Sequence, residues 1–137
     1  MRIVLTIPAG RDPSWTVEAA RHALEAAVAI NRAIMSSQDV PLLYDSQIRF
    51  QREPDGLVKQ GIEQFDNVLT VLARGHGDCD DLVAWRVAEL RERDEPATVR
   101  VVWPKGTRRF HAQVRRADGS YEDPSRILTL RALRKRA

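Results

Sequence analysis

The sequence predicts a single α+β domain in which helices pack on a small antiparallel sheet. Apolar residues recur at helical spacing from Pro13 to about Ser36. After position 98, three short runs alternate between apolar and polar residues and are separated by turn residues. With 137 residues, 43% hydrophobic and 30% charged, the chain can build one core. Helices first and an antiparallel sheet last are typical of an α+β domain.

The first elements are a strand and a long helix. Residues 2–7 alternate as a strand does. Asp12 and Pro13 form a helix start, with Asp as the N-cap and Pro at the first helical position. The predicted helix continues to about Ser36. Its apolar positions recur at helical spacing: Val17, Ala20, Leu24, Ala27, Val28, Ile34 and Met35.

The middle of the chain predicts short elements. Residues 47–52 form an extended piece around Ile48 and Phe50, and residues 53–56 close it as a turn. A second helix is predicted from near Asp66 to Arg74, with Gly75 as its stop.

The next helix is predicted from Cys79 to about Arg93, with Asp78 as its N-cap. Two strands follow, over residues 98–103 and 110–115, joined by a turn at 104–106. A further turn leads to a third strand that ends near positions 123–124. The last dozen residues predict a short helix with its apolar residues on one side: Ile127, Leu130 and Leu133.

The candidate chemistry rests on Cys79, His111 and Asp123, which follow one another on a helix start and two late strands. A thiol, an imidazole and a carboxylate are the groups of a thiol acyl-transfer site. A helix N-terminus and a nearby imidazolium both favour the thiolate. The alternative is that Cys79 is a buried core residue without chemistry, since free cysteines are commonly buried.

The turn before Asp123 decides whether this acid can reach His111. A two-residue turn at 118–119 would pair Val114 with Asp123 and place that acid on the face opposite His111. A three-residue turn over 117–119, with Gly119 left-handed, would pair Gln113 with Asp123 and place it on the face of His111. We predict the three-residue turn.

Asp80 and Asp81 stand in the first turn of the Cys79 helix, where the helix dipole favours negative charge. Their charge nevertheless disfavours a thiolate at Cys79. The sequence interpretation resolves this conflict by geometry. It expects both carboxylates to point to water while Cys79 points inward.

Three motifs resemble the transglutaminase-like (papain-like) superfamily of cysteine enzymes. They are Gly77 to Asp81, His111 to Val114, and Glu122 to Ser125. Residues 71–82, 48–54 and 121–126 are similar to small transglutaminase-like proteins carried by phages and prophages. The resemblance covers about residues 40–128 of a single domain over 1–137, followed by a basic tail at 129–137.

The resemblance implies a cysteine-dependent amide or isopeptide hydrolase, or an acyltransferase. Cys79 would be the nucleophile, His111 the general base and then acid, and Asp123 the residue that orients His111. The oxyanion would be held by the Cys79 backbone N–H and one upstream side chain. The candidates for that donor and for the surroundings of the site are Tyr44, Gln47, Gln51, His76 and Asp78.

The alternative function is a non-catalytic virion or assembly protein that retains this fold and contacts phage structural proteins. The expected partner of the enzyme is a protein or peptide substrate, without a cofactor or a metal, since a single Cys with one nearby His makes a poor zinc site. A nucleic-acid partner would rest only on the sequence pI of about 9.5 and on the basic tail, for which a solvated helix end or frayed terminus is the simpler interpretation. No membrane span or signal peptide is expected, so the protein would be cytoplasmic or virion-associated.

Overall fold

The computed structural model describes residues 2–6, 13–52, 62–107 and 110–136. Within these ranges the chain is mixed α+β, with four α-helices and three small sheets. The predicted α+β class and the packing of helices on a small antiparallel sheet are confirmed. The predicted turn at 53–56 and the proposed N-cap Asp12 lie outside the described residues.

The N-terminal strand and the long helix are where the sequence predicted them. Strand β1 covers Arg2–Thr6, and helix α1 runs from Pro13 to Ser37. The partner of β1 is β3, the third strand along the chain, at Ile62–Asp66, and the two strands pair antiparallel. This strand was not predicted, and it moves Asp66 out of the expected second helix.

A short parallel ladder leads to the Cys79 helix. Strand β2, Arg49–Phe50, follows a 3₁₀ turn at Leu43–Asp45 and pairs with β4, His76–Gly77. Between them lies helix α2, Val68–Arg74. The Asn67 side chain caps this helix by accepting from the Thr70 N–H, and Gly75 ends it in the left-handed conformation, as predicted.

Helix α3, Cys79–Glu92, is the centre of the domain. Every residue from Asp80 to Leu90 is buried, including the polar ones. The helix contacts α1, strands β5 (Thr98–Val102) and β6 (His111–Arg115) and the C-terminal helix α4 (Pro124–Arg136), so it has no solvent face over this stretch. The expectation that Asp80 and Asp81 point to water is therefore wrong: they are 2% and 3% exposed.

The C-terminal sheet is antiparallel, in the order β5-β6-β7. Its strands are Thr98–Val102, His111–Arg115 and Tyr121–Glu122. In β6 the side chains of Ala112 and Val114 are buried against the core, and His111 lies on the other face, as predicted.

The turn between β6 and β7 is the predicted three-residue turn. Arg116 N–H donates to the Ser120 carbonyl at 2.8 Å, and the loop of residues 117–119 ends at Gly119 with a φ of 86°. Val114 pairs with Glu122, so the register continued by one residue sets Gln113 opposite Asp123. His111 and Asp123 are thereby placed on the same face of the sheet.

Helix α4 runs from Pro124 to Arg136 and includes the predicted basic tail. Its buried apolar residue is Leu128, which joins the core that contains Trp85. Leu130 and Leu133 are 40% and 55% exposed, so the predicted apolar side of this helix faces solvent. The core therefore holds α4 by a residue outside that side.

Candidate functional site

Cys79 is the first residue of α3, and its position is fixed by the cap. The Asp78 side chain accepts hydrogen bonds from the backbone N–H groups of Asp80 and Asp81 at 3.1 Å each. The Asp81 carboxylate in turn accepts a hydrogen bond from the Asp78 backbone N–H, which completes a capping box. Gly77 makes this approach possible, since a Cβ there would lie 3.1 Å from the Asp81 Cβ.

The surroundings of the sulfur favour the neutral thiol. Cys79 is partly exposed as a residue. Burial of the sulfur, followed by the charges of Asp80 and Asp78, raises the pKa of the Cys79 thiol well above its usual value. The thiol donates to Asp80 Oδ1 at 3.5 Å. The helix N-terminus therefore does not produce a stable thiolate by itself.

His111 and Asp123 form the contact that the turn prediction required. His111 Nε2 lies 2.8 Å from Asp123 Oδ2, with side-chain exposures of 29% and 22%. When the Nε2–H donates to the carboxylate, the neutral imidazole keeps its lone pair on Nδ1. Asp123 thus orients the ring and fixes the tautomer that can accept a proton on Nδ1.

Asp123 has a second task, because it also caps helix α4. Its Oδ1 accepts from the Ser125 hydroxyl at 2.7 Å and from the Arg126 N–H at 3.3 Å, while Oδ2 faces His111. Burial acts to raise the pKa of Asp123, but the hydrogen bonds from His111 and Ser125 outweigh it and lower the pKa to about 2. The group is therefore a carboxylate at any neutral pH.

Cys79 lies at strand β6, the strand that carries His111. The backbone N–H of Ala112, the residue that follows His111, donates a hydrogen bond that favours the Cys79 thiolate. Cys79 also packs on the core cluster that contains Ala112. The structure thus brings the nucleophile candidate to the strand that carries His111, whose ring is held by Asp123.

Of the upstream candidates for the oxyanion donor (Tyr44, Gln47 and Gln51), Gln51 is joined by its backbone to the segment just before Cys79. Its backbone N–H donates to the Gly77 carbonyl at 2.9 Å, two residues before Cys79, and its side chain is exposed. Gln47 lies four residues before Gln51, in the left-handed conformation with a φ of 63°, and lines a groove beside helix α4. Tyr44 is engaged elsewhere, since its hydroxyl donates to Glu122.

That contact belongs to a buried charged network that the sequence interpretation missed. Glu122 accepts from Arg86 Nε at 2.6 Å and from Arg116 Nη1 at 2.8 Å, in addition to the Tyr44 hydroxyl. Arg86 also donates a hydrogen bond from Nη1 to Glu89 Oε2 at 3.0 Å. Burial and the Glu122 carboxylate raise the pKa of Tyr44, so the hydroxyl stays protonated and donates. The network joins β7, just before Asp123, to the Cys79 helix.

A second cluster holds the segment before Cys79. Arg74 donates to Asp66 at 2.7 Å, to Asp81 at 3.1 Å and to the His76 carbonyl at 3.0 Å. The Asp66 N–H also donates to Asp81, at 2.8 Å. His76 thus lies in the strand beside the site, where burial and the Arg74 and Arg49 guanidiniums lower the pKa of its imidazole.

Comparisons with known proteins give no assignment. The chain matches no protein-family model, and no curated protein or solved structure is significantly similar to it. Among the described residues, no three or more His, Cys, Asp or Glu side chains are grouped to hold a metal ion. No helix in the described ranges is long and apolar enough to span a bilayer.

Proposed function

We propose that this protein is a transglutaminase-like cysteine hydrolase or acyltransferase that acts on an amide or isopeptide bond through an acyl group on Cys79. The observation that carries the proposal is the 2.8 Å contact between Asp123 and His111, whose strand β6 packs against the Cys79 helix. A carboxylate-oriented imidazole beside a cysteine at a helix start is the arrangement that nucleophilic thiol chemistry needs.

The first chemical step follows from the raised pKa of the thiol. Because Cys79 is protonated at rest, His111 removes the thiol proton through Nδ1 as the sulfur attacks the carbonyl carbon. Asp123 stabilises the imidazolium that forms. The oxyanion is held by the Cys79 backbone N–H and by the side-chain amide of Gln51.

Collapse of the intermediate breaks the C–N bond. The imidazolium of His111 gives its proton to the leaving amine, and the acyl group remains on Cys79 as a thioester. Water then attacks the thioester in hydrolysis, or a second amine attacks it in acyl transfer, with His111 again as the base. Both outcomes share the acylation step, so a test of acylation addresses both.

The test is acylation of Cys79 by p-nitrophenyl acetate, followed by release of nitrophenolate and by mass spectrometry of the protein. We expect acetylation on Cys79 in the wild-type protein, none in Cys79→Ser at that position, and a rate at least tenfold lower in His111→Ala. His22→Ala is the matched control, because His22 is 73% exposed and lies on helix α1. Equal acylation rates in wild type and His111→Ala would contradict the proposal.

One observation favours a second candidate function. The burial and the carboxylates that raise the thiol pKa would also suit an inert core cysteine in a non-catalytic virion or assembly protein. That function predicts that Cys79 resists p-nitrophenyl acetate and iodoacetamide in the folded protein. It further predicts that Cys79→Ala and His111→Ala bind the assembly partner as the wild type does.

A further inference from the structure

Helix α4 and the segment before β2 enclose a groove that the catalytic residues do not use. Its volume is about 310 Å³. Four cationic side chains line it, and none of the described lining residues is acidic. We call it the cationic groove and define it by these side chains together with the ring beneath them: Arg49, Arg131, Lys135, Arg136 and Tyr44.

The cations of the groove are available to a ligand. Arg49, Lys135 and Arg136 are exposed, and within the described ranges none of them forms an ion pair with a carboxylate. Arg131 is held in place, because it donates to the Tyr44 carbonyl at 2.9 Å. Like charges gathered around one concave surface attract anions and are relieved by binding them.

Arg49 at the edge of the groove lies within reach of the Cys79 segment. Arg49 pairs with His76 across the β2–β4 ladder, and Cys79 follows His76 by three residues. With strands about 4.8 Å apart and at most about 3.5 Å per residue, the Arg49 and Cys79 backbones lie within about 15 Å. An extended peptide covers that distance with four or five residues.

The aromatic ring of the groove argues against nucleic acid. Single-stranded nucleic acids bind by stacking bases on exposed aromatic faces. Two guanidinium groups instead stack on the Tyr44 ring. The Cζ atoms of Arg86 and Arg131 lie 4.8 Å and 4.9 Å from the ring centroid. These contacts occupy the ring, whereas the arginine forks of the groove suit carboxylates.

We infer that the cationic groove binds the acidic side chains of a peptide whose amide bond reaches Cys79, so that the substrate carries Asp or Glu four or five residues from the reacting carbonyl. The inference rests on the proposed function for the identity of the bond. The groove itself can be tested without catalysis, because binding is measured on the Cys79→Ala protein.

The experiment is fluorescence anisotropy of a labelled hexaglutamate peptide with Cys79→Ala as the parent protein. The test variant adds Arg49→Glu and Lys135→Glu. The control adds Arg115→Glu and Arg134→Glu, which change the net charge equally at exposed residues that do not line the groove. We expect at least a tenfold loss of affinity in the test variant and less than a threefold loss in the control.

Three results would overturn the inference. The first is an equal loss of peptide affinity in both variants, and the second is the absence of saturable peptide binding. The third is displacement of the peptide by inorganic phosphate over the same millimolar range as by free glutamate, which would indicate a small-anion site. Tighter binding of a six-nucleotide single-stranded DNA, with the same dependence on Arg49 and Lys135, would assign the groove to nucleic acid instead. Failure of Cys79 acylation with intact peptide binding would refute the proposed function alone.

Discussion

The carboxylate of Asp80 is the nearest charge that raises the pKa of the Cys79 thiol, after the larger effect of burial. Asp80 Oδ1 accepts a hydrogen bond from the Cys79 thiol, with the oxygen 3.5 Å from the sulfur, and Asp80 is 2% exposed. Its negative charge therefore opposes formation of the thiolate at close range. Replacing it in Asp80→Asn keeps the shape of the side chain and removes the charge. We expect this variant to form the thiolate more readily and to be alkylated faster at neutral pH.

The size of the effect follows from Coulomb's law. At 3.5 Å, two unit charges repel by about 1 kcal/mol in bulk water and by about 5 kcal/mol at an effective dielectric constant of about 20. Cys79 is partly exposed, so the lower part of this range applies, about 1–2 kcal/mol. The thiolate fraction then rises about 5- to 30-fold. Because nucleophilicity falls as basicity falls, the alkylation rate should rise about two- to sevenfold.

The assay is the second-order rate of iodoacetamide alkylation between pH 6 and 10, with thermal unfolding to verify the fold. Asp45→Asn, at an exposed carboxylate of the 3₁₀ turn, is the control and should leave the rate unchanged. An Asp80→Asn rate equal to that of the wild type across the pH range would refute the electrostatic argument. A slower rate would do so as well, since it would mean that Asp80 assists deprotonation.

Three further predictions concern stability and pH, each measured by urea unfolding. Gly77→Ala should cost about 1–3 kcal/mol, because the new Cβ meets the Asp81 Cβ at 3.1 Å, and an unchanged midpoint would contradict this. Glu122→Gln should cost about 2 kcal/mol, because buried Arg86 loses its charged partner Glu122 and keeps only Glu89, and adding Arg86→Met should recover part of that loss; strict additivity would refute the coupling. Asp123 has its pKa lowered from 3.8 to about 2, so its contribution of about 2 kcal/mol should be complete above pH 4 and lost as the pH falls through 2. Asp123→Asn should lack that acid dependence, and a wild-type-like acid profile would show that Asp123 is not hydrogen-bonded in solution.

The sequence predicted the local elements well where one residue type decides the geometry. Pro13 begins α1, Asp78 caps α3, and Gly75 ends α2 in the left-handed conformation. The loop that ends at Gly119 is the three-residue turn that we predicted, and this turn set the strand register. Because side chains alternate with a period of two, that register placed Asp123 beside His111.

A signal for the second role of Asp123 was present and was not used. Asp123 followed by Pro124 is the same cap-and-proline pattern that predicted the start of α1, and the structure shows Asp123 accepting from the Arg126 N–H at the start of α4. The strand at 62–66 gave a weaker signal. Its pairing with β1 connects residues more than 55 positions apart, which local pattern does not reveal.

Burial is what the sequence could not decide for the charged residues near Cys79. First-turn aspartates on an isolated amphipathic helix would face water, but α3 is enclosed over Asp80 to Leu90 by elements from both ends of the chain. Asp80 and Asp81 are therefore buried and paired within the protein. Burial of the sulfur and the nearby carboxylates of Asp80 and Asp78 then raise the pKa of the Cys79 thiol.

The sequence by itself determined the helix that begins at Cys79 and the strand of His111, and it limited the turn before Asp123 to two lengths, because caps, glycine conformations and strand periodicity act over a few residues. The tertiary structure alone decided which charges surround those groups. Three of these features depend on segments that are distant in the chain. They are the Arg86–Glu122 ion pair, the burial of Asp80 and the cationic groove. Such contacts depend on how whole elements pack, and packing sets the local dielectric and charge that govern reactivity.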